Sequence, residues 1–267
     1  MAKDLLCRWP GAMPMFRWRL VVQRGHRVPA LARFERREAA AALRSWGCRP
    51  VAPVAVIIPT FRRPHNLRAA IASVLSQSHR DLVVAVLDDG AGLGPLPDDP
   101  RVFAYSLSRN CGISGVVRNI GIRATASRYL AFLDDDNTWA PEHLEVSLRA
   151  HDQGAELTYT ALERRLPDGS LLDTLSVPFD RARSRRDGFA DANALVVRRG
   201  RGASFSRVPM RRGEFPMEDW ELVHRLSRRL HTVHVPEATV RYAVHDGSYF
   251  TDWSVRAPGQ PAAEVGA

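Results

Sequence analysis

The sequence predicts an α/β fold: a mostly parallel sheet with helices on both faces. Three observations predict it. Short apolar runs alternate with segments whose apolar residues recur at helical spacing, which is the pattern of strand–helix–strand units. The first runs end in polar clusters, and in such sheets ligands bind beyond the carboxyl ends of the strands. The 267 residues, 45% hydrophobic and 25% charged, are enough for one large domain or two small ones and exclude collagen-like, coiled-coil and wholly disordered chains.

Taken in order, Val54 to Ile58 is an apolar run closed by Pro59, and Leu67, Ala70, Ile71, Val74 and Leu75 after it repeat at i, i+3, i+4, i+7 and i+8. Strand, loop and amphipathic helix follow one another. Leu82 to Leu87 is a second strand stopping at Asp88-Asp89-Gly90, and Val102 to Leu107 a third before Asn110-Cys111-Gly112. A helix from Ser114 to Ala126 leads to a strand at Tyr129 to Leu133, which ends at Asp134-Asp135-Asp136. Pro141 opens a helix to His151, because proline is favoured in a first helical turn. A hairpin then turns at Pro167-Asp168-Gly169. Asp180 to Asp187 reads as a charged surface loop and Ala194 to Val197 as a strand. Leu222, Val223, Leu226 and Leu230 mark a helix from Glu218 to Leu230, and Thr239 to Val244 a last strand. Residues 251–267, rich in Pro, Gly and Ala, are expected to be a flexible tail.

The 38 basic and 29 acidic residues leave a net charge of +9, of which +8 belongs to residues 1–50. The body is nearly neutral, which argues against a nucleic-acid groove. Within the basic extension, Phe34 to Trp46 is expected to be helical. An added helix that covers the sheet is the simpler reading, and contact with an anionic membrane or a partner is the alternative. No window is apolar enough for a bilayer span or a secretion signal, and three widely spaced cysteines suit reduced thiols. A cytoplasmic protein is expected, peripheral to the membrane if the extension makes that contact.

Gly90-Ala91-Gly92-Leu93-Gly94 lacks the third glycine of a dinucleotide fingerprint, and its prolines prevent a following helix. The only lysine, Lys3, excludes a P-loop, and Gly112-Ile113-Ser114-Gly115 has the wrong spacing for a nucleophile elbow. The Asp134-Asp135-Asp136 triplet stands out, because adjacent carboxylates repel unless a divalent cation or strong donors intervene. Mg²⁺ or Mn²⁺ held by one or two carboxylates, phosphate oxygens and water suits it. Capping of the following turn by Asp136 and Asn137 is the competing reading.

Ile57-Ile58-Pro59-Thr60-Phe61-Arg62, Leu87-Asp88-Asp89-Gly90, Arg109-Asn110-Cys111-Gly112 with Arg118-Asn119-Ile120-Gly121, Phe132-Leu133-Asp134-Asp135-Asp136-Asn137 and Met217-Glu218-Asp219-Trp220 follow one another in order. From about residue 54 to 250, the chain resembles the family 2 glycosyltransferases of the GT-A fold. The resemblance implies a GT-A domain over residues 51–250, with a nucleotide-binding half to about 140 and an acceptor half beyond it. It also implies an inverting, metal-assisted transfer from a nucleoside-diphosphate sugar to an acceptor hydroxyl. The donor would be a UDP-sugar foremost, with GDP- and dTDP-sugars as alternatives.

Carried over by motif, Pro59, Phe61, Asp88 and Asp89 surround the donor base, Arg118 lies near the base or phosphates, and Asp134 or Asp135 holds the ribose. Asp136 binds Mn²⁺ or Mg²⁺ between the phosphates, with His245 as a second candidate ligand, and Asp219 is the base that deprotonates the acceptor. The residue types suit these roles: an aromatic face stacks on a base, arginine forks onto carbonyl or phosphate oxygens, and a carboxylate takes a hydroxyl proton as the new bond forms. A buried anchor for Phe61, an ion pair for Arg118 and helix capping for Asp219 are the structural alternatives. Trp220 either lines the acceptor cleft or belongs to the core. The chain departs from the family pattern at Ala91, where serine or threonine is common, and at Arg62 and Arg63, where smaller polar residues are usual. A retaining transferase or nucleotidyltransferase on the same fold, or a non-catalytic nucleotide-sugar binder, stay open as rivals.

Overall fold

The computed structural model describes residues 12–210 and 217–244. Six α-helices are seen there: α1 (Ala12–Arg24), α2 (Val28–Trp46), α3 (Pro64–Leu75), α4 (Ser114–Ala124), α5 (His143–Asp152) and α6 (Glu218–Leu226). The strands are β1 (Val54–Thr60), β2 (Leu82–Asp88), β3 (Val102–Ser106), β4 (Tyr129–Phe132), β5 (Thr138–Trp139), β6 (Leu157–Arg165), β7 (Leu171–Leu175), β8 (Leu195–Arg198) and β9 (Thr232–Ala243). They form one sheet in the order β3-β2-β1-β4-β8-β6-β9-β5, with β7 paired to β6.

The first four strands are parallel throughout. β1 and β2 are buried along almost their whole length because helices cover both faces, and they therefore read as unbroken apolar runs rather than alternating ones. Beyond β4 the sheet turns antiparallel through β8, β6, β7 and β5, and only β6 and β9 run parallel there. The expected hairpin at Pro167-Asp168-Gly169 joins β6 to β7, where Gly169 takes φ 84°. β9 is much longer than the segment expected from Thr239. Its register on β6 jumps from Val235 to Ala238, so Pro236 and Glu237 form a bulge. Proline has no N–H for the ladder, and the interruption hides the strand's first half from a reading of sequence pattern.

Register sets where the site forms. Thr60 lies opposite Asp88 and Ile57 opposite Phe132, so the chain leaves β1, β2 and β4 along the same edge of the sheet. Phe61 to Arg63, Asp89 and Asp134 to Asp136 are collected there.

The N-terminal helices belong to the folded body. α2 is longer than the expected Phe34–Trp46, opening six residues earlier with Pro29 in its first turn, and α1 was not expected. α2 packs on α4 and β3, with Trp46 Nε1 donating to the Ala104 carbonyl at 2.8 Å. Its two acids are wholly buried. Glu38 accepts from the Ser108 amide at 2.9 Å and its hydroxyl at 2.7 Å. Glu35 accepts a fork from Arg207 at 2.7 Å on each oxygen, and pairs with Arg123 and Asn119. Removing a buried carboxylate leaves such donors unmatched. Glu35→Ala is expected to lose about 2–4 kcal/mol, read as a thermal midpoint lower by roughly 5–15 °C. Glu35→Gln, which keeps an acceptor, should lose less.

Two other expectations change. The Asp180 to Asp187 segment is no simple surface loop. A 3₁₀ turn at Arg183–Arg185 buries Ser184, whose hydroxyl meets His224 Nδ1 at 3.1 Å and whose carbonyl accepts from Trp220 Nε1 at 2.7 Å. Trp220 is thereby a core residue. α6 ends at Leu226 rather than Leu230, the chain passing into turns after Ser227. The expected tail lies outside the described residues.

Candidate functional site

A cavity of about 540 Å³ opens at the sheet edge where the motifs converge. Pro59, Phe61, Asp89, Arg118, Asp134, Asp135, Asp136 and Asp219 all line it, so residues up to 160 positions apart meet in one space. Asp88 does not line it. Its Oδ2 accepts from the Ala91 and Gly92 amides at 2.9 and 2.7 Å and from the Ser106 hydroxyl at 2.5 Å, which makes it the anchor of the turn after β2 rather than a contact for a base. His245 lies outside the described residues.

Asp89 accepts from the Cys111 and Gly112 amides at 2.8 and 2.9 Å, tying the loop after β2 to the one after β3. Gly90 allows this: its φ is 77°, and a Cβ there would fall 2.4 Å from the Arg109 carbonyl carbon. Phe61 is 39% exposed, with Arg62 over its ring at 5.0 Å. Arg62 takes φ 59°, a conformation that favours glycine, and this sharp turn sets both Phe61 and Arg63 against the cavity.

The acidic triplet divides its work. Asp134 receives Arg118, its amide donates to Asn193 Oδ1 at 2.6 Å, and Asn193 Nδ2 reaches both Asp134 at 3.2 Å and Asp191 at 2.6 Å. Asp135 is buried and accepts from the Thr60 hydroxyl at 2.7 Å and Arg63 at 3.2 Å; burial raises its pKa despite these donors. Asp136 pairs with Arg63. The N-terminus of α5 carries no side-chain cap.

Arg118 is buried between two carboxylates, Asp134 and Glu218, over the Phe205 ring at 5.1 Å. Burial works against its charge, but the two acids outweigh burial and raise its pKa. Its Nε finds no partner among the described residues. Glu218 also accepts from the Gly115 amide at 2.9 Å, supplying the first turn of α4 with the acid that its own sequence lacks. Gly115 permits the approach, since a Cβ there would stand 2.8 Å from Glu218 Oε2.

Asp219, 7% exposed, accepts from the Trp220 amide at 2.7 Å, so it serves the start of α6 while lining the cavity. Burial, then the charges of Asp191 and Glu218, push its carboxyl up to about 8. Asp191 is raised to about 6, by burial and then Asp134. A carboxyl poised this close to neutrality can both accept and hold a proton. Asp191, Asn193 and Tyr242 are absent from the sequence motifs, and Arg63 appears there only as a departure from the family pattern. Asp191 opens a 3₁₀ turn at Ala192–Ala194 and Tyr242 sits near the end of β9, and neither belongs to a readable motif.

Among the described residues, seven carboxyl groups and two arginines line the cavity. A bound diphosphate would add further negative charge to these groups. The oxygens are hard donors suited to Mg²⁺ or Mn²⁺. Among the described residues no three acids, histidines or cysteines cluster as a ready metal cage.

Residues 55–207 match glycosyl transferase family 2. The chain belongs to this family. TuaG of Bacillus subtilis, a putative teichuronic acid biosynthesis glycosyltransferase, is 29% identical over 128 residues, which cover 45% of this chain and 50% of the relative. WfgD of Escherichia coli, a UDP-Glc:alpha-D-GlcNAc-diphosphoundecaprenol beta-1,3-glucosyltransferase, is 30% identical over 105 residues, covering 36% of this chain and 39% of the relative. The chain thus matches half or less of the length of these curated relatives. The solved structure of S. aureus TarS 1-349 in complex with UDP-GlcNAc superposes with a TM-score of 0.56 over 76% of this chain and 61% of that one, at 14% identity. At that identity the likeness is one of fold, and the fold is the GT-A type.

Proposed function

We propose that this family 2 glycosyltransferase moves a sugar from a UDP-sugar to an acceptor hydroxyl with inversion, by a single displacement assisted by a divalent cation. The observation that carries the reading is the convergence on one cavity of the Asp134-Asp135-Asp136 edge, Arg118 and the buried Asp219. TarS, which has this fold, binds UDP-GlcNAc, and WfgD is named for a UDP-Glc donor; both favour uridine over the other bases.

In this reading Phe61 stacks on the base and Asp89 lies beside it. Asp134, fixed by Arg118 and Asn193, receives the ribose. Asp136 would hold Mn²⁺ or Mg²⁺, completed by phosphate oxygens and water. When bound, the cation supplies positive charge to the diphosphate as it departs. Arg63, now paired with Asp136 and Asp135, stands where it can exchange a carboxylate for a phosphate oxygen. Asp219 takes the acceptor's proton while the acceptor oxygen attacks the anomeric carbon. A lone base opposite the leaving group gives inversion.

A thermal-shift panel tests the reading, because a ligand that binds only the folded state raises its stability. UDP with Mn²⁺ should raise the midpoint well above UDP or Mn²⁺ alone, and above GDP or dTDP with Mn²⁺. No shift with any nucleoside diphosphate, with or without the cation, would contradict it.

A further inference from the structure

α1 turns two faces to two different environments. Met13, Phe16 and Leu20 are buried against the body. On the opposite side Met15, Trp18, Val21 and Val22 are exposed, Trp18 by 69% and Val22 by 62%. At 3.6 residues per turn these four fall within an arc of roughly 120°, bordered by Arg17 on one edge and Arg19 on the other. Single exposed apolar residues are ordinary on a protein surface, but a contiguous stripe centred on a tryptophan is not.

The charge around this stripe has one sign. Between residues 13 and 49 the only acids are Glu35 and Glu38, and both are buried in the contacts described above. Every exposed charge on α1, α2 and their junction is therefore an arginine. A second copy of the chain would bring a like-charged surface to this face, whereas an anionic surface complements it. The stripe is also the convex side of a single helix rather than a groove shaped for a peptide. Apolar centre, tryptophan and flanking arginines make the pattern of a helix lying in a bilayer interface.

We infer that α1 docks the protein on an anionic lipid surface. The inference stands on the exposed face alone, independent of the transfer reaction. Its consequence for substrate class rests on the function proposed above. Arg24 of α1 donates to the Pro209 carbonyl at 2.9 Å, beside the cavity-lining Ser206, Val208 and Met210. Arg17 meets Glu221 of α6, two residues from Asp219, at 3.5 Å. A docked α1 would therefore bring the wall next to Asp219 close to the lipid headgroups, which suits an acceptor carried on a membrane lipid.

Co-sedimentation of the full chain with vesicles tests the docking, using phosphatidylcholine alone and a phosphatidylcholine–phosphatidylglycerol mixture. The parent chain should sediment with the mixture, much less with phosphatidylcholine alone, and less as salt rises. Trp18→Ser with Val22→Ser should weaken the partition about ten-fold or more, and each of Arg19→Gln and Arg27→Gln about five-fold. Thermal unfolding of the variants, unchanged from the parent, would confirm that the fold is intact. Equal sedimentation of the Trp18/Val22 variant and the parent would overturn the inference, as would no sedimentation with either vesicle. A dimer in solution that this variant dissociates, with no vesicle binding, would assign the face to a second copy instead. UDP binding reports separately on the transfer reading, so the two can fail independently.

Discussion

Asp219→Asn is expected to lower turnover about 10²–10⁴-fold while leaving UDP affinity within about two-fold of the parent. Asparagine keeps an oxygen for the Trp220 amide but cannot take the acceptor's proton. The substitution should also stabilise the ligand-free protein at alkaline pH. The carboxyl is raised to about 8 because burial and the neighbouring acids disfavour its charge. A raised carboxyl binds its proton more tightly in the folded than in the unfolded chain. Its contribution is therefore complete below the ordinary carboxylate range and is lost as pH climbs through about 8. The parent's midpoint should fall across that window, and Asp219→Asn should fall less, since Asp191, raised to about 6, still contributes part of the slope. At pH 8 or above the variant should be more stable by at least about 1.4 kcal/mol, or roughly 3–6 °C. Calorimetric scans from pH 4 to 9 read this effect. A variant less stable than the parent at pH 8 would show that Asp219 is held charged by something other than the groups described.

Arg118→Ala carries the largest expected stability loss. The guanidinium lies between Asp134 and Glu218, with Asp191 and Asp219 close behind. Without it the acids face one another in a site of limited solvent access, and removing one partner of such a buried arrangement costs about 3–5 kcal/mol. The thermal midpoint should drop by roughly 6–20 °C. The deficit should shrink as pH is lowered towards 5, because protonating the crowded carboxylates relieves their repulsion. Arg118→Lys should recover only part of the loss, because an ammonium cannot fork to two acids at once. UDP binding should weaken in both variants. A loss that does not vary with pH would mean that packing over Phe205, rather than charge, is what Arg118 supplies.

Much of this site could be read from the sequence because it is written on strand ends. An apolar run that stops at Asp88-Asp89 or Asp134-Asp135-Asp136 declares both the strand and the edge where its loop emerges. The parallel half of the sheet was legible for the same reason, whereas β9 was obscured by the bulge at Pro236. Side-chain direction was not legible. Asp88 and Asp89 are adjacent, yet the first closes a turn and only the second reaches the cavity, a choice made by the Ala91, Gly92 and Ser106 donors. Asp191 and Asn193 carry no motif; they matter because β8 pairs with β4 and brings the turn before it beside Asp134. In the sequence, Glu35 and Glu38 are merely two of the three acids in a strongly basic extension. Their burial is a tertiary fact that binds α2 to the body and leaves the outer surface wholly basic.

The most direct test of the central claim, that one cavity holds the donor's diphosphate in reach of Asp136 with Asp219 on the facing wall, is a crystal structure with UDP and Mn²⁺. Uracil is expected beside Phe61 and Asp89, the cation shared by Asp136 and the phosphates, and Arg63 drawn away from Asp136. Nucleotide bound elsewhere, or within the cavity while Arg63 stays on Asp136 and the phosphates lie out of its reach, would contradict it.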